Sequence, residues 1–537
     1  MHTIDATLRA TAARVPDRRA LVCGPVEYSY AELDAAVGRV AGVLADHGLC
    51  KGDRLALLAT NSERFVLVFY AAHRLGAIFV PINPASASPE VDYILRDSGA
   101  TVLVFDAAME KTVHTLAVSG LPEGLRLLSL GAAAGSEDLI AATAHHRDDP
   151  IADIVTATDD AQLLYTSGTT GAPKGALFDH HRVLATAAGV IAMCGLADAD
   201  VLLHVAPLYH AAQLCIMLIP GTLVGATHIV HSGFDPAATL DTLERERVTM
   251  FFGVPTMYQF LLRLPDLPRR DLSAWRTGMF GAAPMPPAAV QQLVATLPGV
   301  NFMQLCGQTE AGPGGIFANR DQTRQRPDAT GRQAIVGMQF RVVDSDSNDI
   351  MPGEAGELLL SGDGVMKGYW NKPEATAATL VDGWVHTGDV CRLDSDGYVT
   401  LIDRLKDMII TGGRNVYSVE VEAAIAAHPS VLDAAVVARP HLEYGESIVA
   451  VVVLADGAGL TLEELRAFAA DRIARYKLPH DLVLVPQIPR NPSGKILKRQ
   501  LRETLPAPAE LVEEHRMRQR RTDDPDPHRG RRSAMQP

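Results

Sequence analysis

A glycine- and hydroxyl-rich segment, Thr166 to Gly175, carries the strongest chemical signal in the chain. It reads Thr-Ser-Gly-Thr-Thr-Gly-Ala-Pro-Lys-Gly and follows an apolar Leu-Leu pair, so we expect it to leave a strand. Glycines leave backbone amides accessible and hydroxyls add donors, and with a lysine they form a loop that can wrap phosphates. The GK[ST] ending of a Walker A loop is missing. The alternative is a flexible surface loop, but the density of donors beside Lys174 favours phosphate binding.

Two carboxylate-bearing segments further along the chain suit nucleotide and metal binding. Thr309-Glu310 sets a hydroxyl beside a carboxylate. Such a pair can hold a phosphate oxygen and Mg²⁺ together, because Mg²⁺ prefers hard oxygen ligands, or it can simply cap a helix. Asp389 ends the segment Trp384 to Asp389, where we expect a tight turn. Its carboxylate could grip a ribose diol or only stabilise the turn.

Two further segments each offer a cation. Arg404 stands at an expected domain junction, from which a guanidinium could reach a nucleotide. Lys495 follows Pro-Ser-Gly, a turn that would lift one lysine outward, although most such lysines are simply solvated. Each of these features is ordinary by itself, and only their combination indicates nucleotide chemistry.

Alternating helical and strand patterns in the first half of the chain would position these residues. Residues 29–32 form a capping box that opens a helix whose apolar residues fall on one face. Short apolar strands are predicted at 55–58 and 102–105, with a helix at 65–73 between them. Strand–helix–strand repetition predicts parallel sheets covered by helices on both faces.

Near residue 400 the pattern changes to shorter elements. Helices are predicted to begin at Ser418 and, on a second capping box, at Thr461, with strands near 431–437 and 447–454. About 100 residues with their own helices and strands indicate a small α+β domain. Beyond residue 505 few apolar residues remain among many Arg, Asp and Pro residues, so this tail is predicted to be disordered.

The bulk composition argues against several classes of function. With 537 residues and 47% apolar content, the chain can form several domains. A formal charge of −14 argues against a nucleic-acid binder, which would need a basic face. The six cysteines are scattered, without the spacing of a zinc site. The first residues lack the apolar core of a signal peptide and no stretch is long enough for a transmembrane segment, so a cytoplasmic protein is predicted.

Taken together, the five segments resemble, in order and spacing, those of the adenylate-forming superfamily of acyl-CoA synthetases, luciferases and peptide-synthetase adenylation domains. The resemblance covers about residues 8–503. It implies an α/β fold, in which a large N-terminal domain of αβ layers plus a β-barrel-like subdomain is followed by a small mobile α+β lid. The implied limits are 1–402 for the first domain, 403–407 for a hinge, 408–505 for the lid and 506–537 for the tail.

The resemblance also implies roles for individual residues. Lys495, Thr309 and Glu310 would be catalytic, Glu310 and Thr170 would hold the metal, and Lys406 would be the hinge residue. ATP would be bound by Thr166, Ser167, Gly168, Thr169, Thr170, Gly171, Lys174, Gly281, Ala282, Ala283, Gln304, Cys306, Gly307, Asp389 and Arg404. The acyl pocket would be bordered by Tyr209, His210, Gly253, Gly281 and Gly314. Coenzyme A would be bound by Gly412, Gly413, Arg414 and Lys477.

The implied activity is a two-step ligation that uses ATP, Mg²⁺ and coenzyme A. The acid would attack the α-phosphorus to form an acyl-adenylate with release of pyrophosphate, and the acyl group would then pass to the thiol of coenzyme A. Residues 476–479 and Gly413-Arg414 resemble acyl-CoA synthetases, and no carrier-like segment is fused to the chain, so coenzyme A is preferred. Loading of a separate carrier protein is the alternative. A luciferase-like oxidation and a catalytically silent nucleotide-binding protein are more distant ones.

The sequence leaves the identity of the acid open. An open apolar slot, suited to a fatty acyl chain or an aryl acid, is predicted from the small residues Gly281, Ala282, Ala283, Gly314 and Gly315. His210 could border this slot or lie in the core as a hydrogen-bonded histidine. Cys306 stands where the family commonly has a tyrosine, which removes an aromatic wall near the adenine or the acyl group.

Overall fold

The computed structural model describes residues 2–144, 146, 154–166, 172–441, 443–490 and 496–505. The predicted disordered tail therefore lies outside the described residues. The chain separates into two compact units, the first running to Met408 and the second comprising Ile409–Pro489 and the helix Lys498–Thr504. The predicted hinge immediately precedes this division. Its action as a hinge, and the exact domain limits, stay predictions.

Two mixed sheets form most of the first unit and confirm its predicted α/β class. Both have parallel neighbours at the centre and antiparallel strands toward an edge. Among the described residues, the strands of one sheet are, in spatial order, Gln333–Ala334, Gly315–Ala318, Asn301–Gly307, Thr277–Phe280, Met250–Gly253, Val201–His204, Thr227–Val230, Arg19–Cys23 and Val26–Ser29. Those of the other are Gly368–Tyr369, Lys174–Asp179, Asp160–Thr166, Ile78–Ile82, Arg54–Leu58, Val102–Asp106, Arg126–Leu130 and Glu137–Asp138.

Helices connect these strands, as the sequence pattern predicted. The capping box is confirmed, because Ser29 Oγ accepts from the Glu32 amide while the Glu32 carboxylate accepts from the Ser29 amide. The predicted helix at 65–73 is confirmed with slightly wider limits. The α-helices of this unit are Ile4–Arg14, Tyr30–Asp46, Glu63–Arg74, Ser88–Ser98, Glu110–Ser119, Leu139–Thr143, His180–Cys194, Ile219–Val224, Pro236–Arg245, Pro255–Leu262, Pro287–Thr296, Arg320–Gln325 and Pro373–Thr379. Short 3₁₀ turns lie at Ala107–Met109, Leu267–Arg269 and Thr309–Ala311.

A third sheet completes the first unit and is antiparallel throughout. Its apolar side chains pack in one cluster with Ile316 and Ala311, which extend from the first sheet. The strands in the described residues are Met338–Val343, Ala355–Gly362, Trp384–Leu393, Leu380–Val381 and Val399–Arg404. The barrel-like character that the resemblance implied for this region stays a prediction.

The second unit has its own sheet and its own core, as its sequence pattern predicted. The helix predicted from Ser418 runs to Ala426, and the helix capped by Thr461 spans Leu462–Ala470. Apolar residues such as Val436 and Ala450 are fully buried between the sheet and these helices. Its strands in the described residues are Arg414–Val416, Ile409–Thr411, Gly445–Leu454 and Val431–His441 in spatial order, and Asp481–Leu484 pairs in parallel with Gly445–Leu454. A 3₁₀ turn lies at Arg475–Lys477.

None of the helices in the described part of the chain combines the length and the apolar character that spanning a bilayer requires.

Candidate active site

Many of the predicted site residues gather where neighbouring parallel strands end. The strands Val201–His204, Met250–Gly253, Thr277–Phe280 and Asn301–Gly307 are adjacent and parallel. The segments that follow them therefore meet at one edge of the sheet, which is the usual position of ligand sites in open α/β sheets. This edge carries Tyr209, His210, Gly253, Gly281, Ala282, Ala283, Thr309 and Glu310.

The backbone fixes Glu310 at the end of its strand. The 3₁₀ turn Thr309–Ala311 ends at Gly312, whose φ of +84° is one that residues with side chains rarely adopt. A Cβ on Gly312 would lie 2.1 Å from the carbonyl oxygen of Gly364, so glycine is required there. The Glu310 carbonyl oxygen also accepts a 2.9 Å hydrogen bond from the Met366 amide. The position of the carboxylate is thus set by two independent backbone constraints.

Tyr369 links this carboxylate to the lysine of the phosphate loop. Its hydroxyl donates a 2.8 Å hydrogen bond to Glu310 Oε1, and Lys174 Nζ lies 4.9 Å from the centroid of its ring. Burial and the negative charge of Glu310 raise the pKa of Tyr369 well above its usual value, so the phenol stays a neutral donor. The strand Gly368–Tyr369 pairs with Lys174–Asp179. A carboxylate from one sheet and an ammonium group from the other therefore meet around one tyrosine.

The strands on both sides of the phosphate loop are described. Thr166 ends the strand Asp160–Thr166 and pairs with Lys174, which begins the next strand of an antiparallel hairpin. The prediction that this segment leaves a strand is confirmed. Five predicted phosphate-loop residues lie outside the described residues: Ser167, Gly168, Thr169, Thr170 and Gly171.

Asp389 lies inside a strand, so the predicted tight turn before it was wrong. The strand Trp384–Leu393 runs through the whole segment, and Gly388, at a φ of +68°, falls where its pairing with Ala355–Gly362 shifts register. A glycine bulge absorbs the extra residue without ending the strand. Asp389 is opposite Arg404 in the neighbouring strand, and Arg404 Nε lies 2.8 Å from Asp389 Oδ1. Asp389 is therefore 5% exposed and already paired with a cation, and its contact with a nucleotide stays a prediction.

The predicted ATP-binding residues between Gly281 and Gly307 belong to one strand and to the segment that follows the adjacent strand. Phe280 pairs with Gln304, so Gly281 to Ala283 continue alongside Cys306 and Gly307. Cys306 is half-buried and packs against the apolar cluster of the third sheet. The substitution of cysteine for the family's usual tyrosine therefore leaves a small side chain that packs inward from this strand.

An apolar cavity lies at the same edge of the sheet. It includes the predicted pocket residue His210 and both chain neighbours of Gly253. His210 Nδ1 accepts a 3.3 Å hydrogen bond from the Ala212 amide, and burial lowers the pKa of the imidazole, which favours the neutral ring. The cavity is lined by Ala206, Pro207, His210, Ala212, Gln213, Phe252, Val254, Met257 and Ala282. Tyr209 is absent from the described lining.

Of the small residues that were predicted to form an open slot, Ala282 is among the described residues that line the cavity. Ala282 lines the cavity with a φ of +67°, which is unusual for a residue that carries a side chain. At Gly281, Gly314 and Gly315 the space that a Cβ would fill is already taken, by atoms at 2.6, 2.1 and 2.0 Å respectively. These three glycines allow neighbouring segments to pack closely, and a slot for the acid beside them stays a prediction.

The residues predicted to bind coenzyme A lie in the second unit. Gly412 and Gly413 form the two-residue turn of a hairpin rather than a glycine-rich strand, and both have positive φ, as a type I′ turn requires. The guanidinium of Arg414 lies 4.9 Å from the centroid of the Tyr476 ring. Lys477 Nζ donates 2.6 Å hydrogen bonds to both carboxylate oxygens of Glu420. Their binding of coenzyme A stays a prediction.

The structure describes the lysine assigned to the hinge but not the lysine assigned to the first chemical step. Lys406 is exposed in the turn that follows the strand Val399–Arg404. Lys495 lies outside the described residues. The roles of both therefore rest on the sequence resemblance.

Potential metal ligands do not cluster in the described part of the chain. The described part of the chain has no group of three or more His, Cys, Asp or Glu residues that could hold a metal. Mg²⁺ usually takes one or two protein carboxylates and completes its shell with water and substrate phosphates. Glu310, fixed near Lys174 by Tyr369, fits a Mg²⁺ ion that arrives with a nucleotide.

Sequence analysis missed two residues that the structure places at the site. Tyr369 stands in a Gly-Tyr-Trp segment whose only signal was a pair of aromatic residues after a glycine. Gln213 directly precedes the most apolar run of the chain, and a lone amide beside such a run was the available signal. Both act through contacts with residues that are distant in the sequence.

Comparison with known proteins gives consistent matches over nearly the whole chain. A family model described as "AMP-binding enzyme" matches residues 8–370, and one described as "AMP-binding enzyme C-terminal domain" matches residues 420–495. Feruloyl-CoA synthase of Amycolatopsis sp is 40% identical over 91% of this chain and 96% of that protein. Long-chain-fatty-acid–CoA ligase FadD13 of Mycobacterium tuberculosis is 35% identical over 94% and 98%. The crystal structure of ATP-bound MatB from Rhodopseudomonas palustris superposes with a TM-score of 0.86 at 32% identity, covering 94% and 98% of the two chains.

Proposed function

The chain belongs to the AMP-binding enzyme family and is an acyl-CoA synthetase, and from this premise we propose that it activates an aryl carboxylic acid. The acid attacks the α-phosphorus of ATP, pyrophosphate leaves, and the acyl group of the acyl-adenylate passes to the thiol of coenzyme A. The observation that carries the proposal is the meeting of Glu310 and Lys174 around Tyr369, at the sheet edge that also holds the apolar cavity.

Two observations support an aryl acid over a fatty acid. The chain is more similar to feruloyl-CoA synthase, at 40% identity, than to the long-chain-fatty-acid–CoA ligase, at 35%. The cavity is lined by Phe252, Val254 and Met257, whose apolar surfaces suit a flat ring, and Ala282 leaves room at its edge. Both of these relatives are CoA ligases by name, which supports coenzyme A over a carrier protein as the acceptor.

Catalysis rests on placing positive charge where negative charge develops. ATP and the carboxylate are both anions, so Lys174 and the amides of the phosphate loop hold the phosphates in line for attack. Thr309 and Lys495 stabilise the charge that builds on the α-phosphate oxygens and on departing pyrophosphate. Glu310 and Thr170 would hold Mg²⁺, which would supply positive charge that reduces the repulsion between the two anions. No covalent enzyme nucleophile is needed.

The nucleotide is oriented by the pair on the third sheet. Asp389 holds the ribose hydroxyls, and Arg404, 2.8 Å from its carboxylate, fixes the direction of that carboxylate and adds a donor of its own. The second unit acts as a lid that turns on Lys406, so that Lys495 can leave and Gly412, Gly413, Arg414 and Lys477 can serve the thiol step. ATP and coenzyme A are cytoplasmic metabolites, and a cytoplasmic location follows from their use.

Pyrophosphate release with a panel of acids tests this function. We expect cinnamic-type and benzoic-type acids to give both pyrophosphate and a CoA thioester, at a kcat/KM at least about tenfold above that for fatty acids, because the side chains of Phe252 and Met257 in the cavity wall can pack against an aromatic ring. A reversed preference would overturn the choice of an aryl acid. Pyrophosphate without a thioester, together with acylation of a carrier protein, would overturn coenzyme A as the acceptor. No pyrophosphate with any acid would contradict the ligase itself.

A further inference from the structure

One polar atom in the wall of the apolar cavity has no hydrogen-bond partner. Gln213 and His210 are the residues with polar side chains among the described lining. Gln213 is fully buried, and its Oε1 atom has no partner among the described residues. A buried carbonyl without a hydrogen bond destabilises the folded state, so such atoms are uncommon in native proteins. Since no described residue satisfies this acceptor, it is available to a ligand or a solvent molecule in the cavity.

A buried chain of hydrogen bonds holds the Gln213 carboxamide in place. Gln213 Nε2 lies 2.7 Å from His204 Nδ1, and His204 Nε2 lies 2.9 Å from His228 Nδ1. His228 Nε2 lies 3.2 Å from Thr222 Oγ1, which accepts a 2.8 Å hydrogen bond from the Tyr70 hydroxyl. Burial lowers the pKa of His204, and that of His228 to about 3, so both rings are neutral links. The amide nitrogen is committed to this chain, and the carbonyl oxygen remains for the cavity.

The helix that carries Gln213 is itself irregular at this point. Gln213 begins a π-helical segment, Gln213–Leu218, which continues as the α-helix Ile219–Val224. Segments of π-helix are rare and are found frequently at functional sites, because the extra residue redirects side chains. The irregularity falls on the residue whose side chain reaches both the cavity and the histidine pair.

We propose that Gln213 recognises a hydroxyl group on the acid, so that the enzyme selects hydroxylated aryl acids over their unsubstituted analogues. The inference rests on the proposed function, since it places the ring of the acid in this cavity. A hydroxyl group donates to Oε1, and because it also accepts, it suits the carboxamide in either orientation. An acid without the hydroxyl would leave the buried carbonyl unpaired, and sites of this kind reject such analogues strongly.

The test compares cinnamic acid with its 3-hydroxy and 4-hydroxy derivatives. For the unaltered enzyme we expect kcat/KM for at least one hydroxylated acid to exceed that for cinnamic acid by about tenfold or more. In Gln213→Leu the hydroxylated and unsubstituted acids should differ in kcat/KM by no more than about twofold. The rate on cinnamic acid should be kept or raised, because the apolar side chain needs no hydrogen-bond donor. Gln213→Met, which keeps the length of the side chain, guards against misfolding of the leucine variant.

Gln162→Leu is the matched control. Gln162 is also a fully buried glutamine with one unpaired amide atom, Nε2, but it is not among the described residues of the cavity lining. Its substitution should leave the hydroxyl preference unchanged. An unaltered enzyme without the preference, or variants at Gln213 that keep it, would overturn this inference alone. Failure to activate any aryl acid while fatty acids react would overturn the proposed acid class and this inference with it.

Discussion

Replacing Lys495 with alanine should abolish acid-dependent pyrophosphate release while sparing the transfer of a supplied acyl-adenylate to coenzyme A. The lysine would neutralise charge that appears on the α-phosphate only during adenylation, and removing one such group commonly costs about 10²–10³-fold in rate. The thiol step attacks a carbonyl carbon and does not need that charge. Pyrophosphate release and thioester formation from synthetic acyl-adenylate, measured separately by rapid quench, give the two rates.

Arg499→Ala supplies the control for Lys495. It also removes one positive charge, four residues further along the chain, where the guanidinium pairs with Glu503 at 2.8 Å on an exposed helix face. Both half-reactions should keep their rates in this variant. Equal loss of the two half-reactions in Lys495→Ala, or loss of neither, would remove the lysine from the first step.

Replacing Glu310 with glutamine should also stop adenylation, but in a way that depends on Mg²⁺. Glutamine still accepts the hydrogen bond from Tyr369, so the site keeps its shape while it loses the negative charge that would hold the metal. We expect a loss of about 10²-fold or more at ordinary Mg²⁺ concentrations, partly restored as Mg²⁺ is raised. Titrating Mg²⁺ in the pyrophosphate assay distinguishes this behaviour from that of Lys495→Ala, which added metal should not rescue.

Tyr369→Phe separates the charge of Glu310 from its orientation. This variant keeps the carboxylate and removes the 2.8 Å hydrogen bond that fixes it. A hydrogen bond to a charged group contributes about 1.5–3 kcal/mol, which is about 10- to 150-fold in rate. Because the carboxylate keeps its charge in this variant, we expect a loss at the lower end of that range, smaller than in Glu310→Gln. A Glu310→Gln enzyme with an unchanged Mg²⁺ dependence would contradict the assignment of this carboxylate to the metal.

Local chemistry could be read from the sequence, whereas geometry that depends on distant contacts could not. The capping boxes at Ser29 and Thr461 were predictable because each is complete within four residues. Asp389 was placed after a turn because a glycine before an aspartate is typical of one, but pairing with a neighbouring strand turned that glycine into a bulge. The close packing at Gly281 could not be predicted for the same reason, since the Leu305 carbonyl beside it lies on another strand.

The candidate site shows the same division. Glu310 and Lys174 were both identified from their own segments, yet nothing in either segment indicates that Tyr369 stands between them. The proposed role of Gln213 depends on two features of the fold. His204 pairs with its amide nitrogen, and the cavity lies beside its side chain, whose carbonyl oxygen has no partner among the described residues. Residues that act through partners far along the chain require the fold before their role can be recognised.

The most direct test of acyl-adenylate formation follows oxygen from the acid into the products. An aryl acid labelled with ¹⁸O in both carboxylate oxygens is converted to its thioester with ATP and coenzyme A, and the phosphate-containing products are analysed by mass spectrometry. Because the carboxylate attacks the α-phosphorus and the thiol later expels AMP, the AMP should carry one ¹⁸O atom and the pyrophosphate none. Label in inorganic phosphate or in pyrophosphate would contradict activation through an acyl-adenylate. AMP without label, when the labelled acid has been converted to its thioester, would contradict it as well.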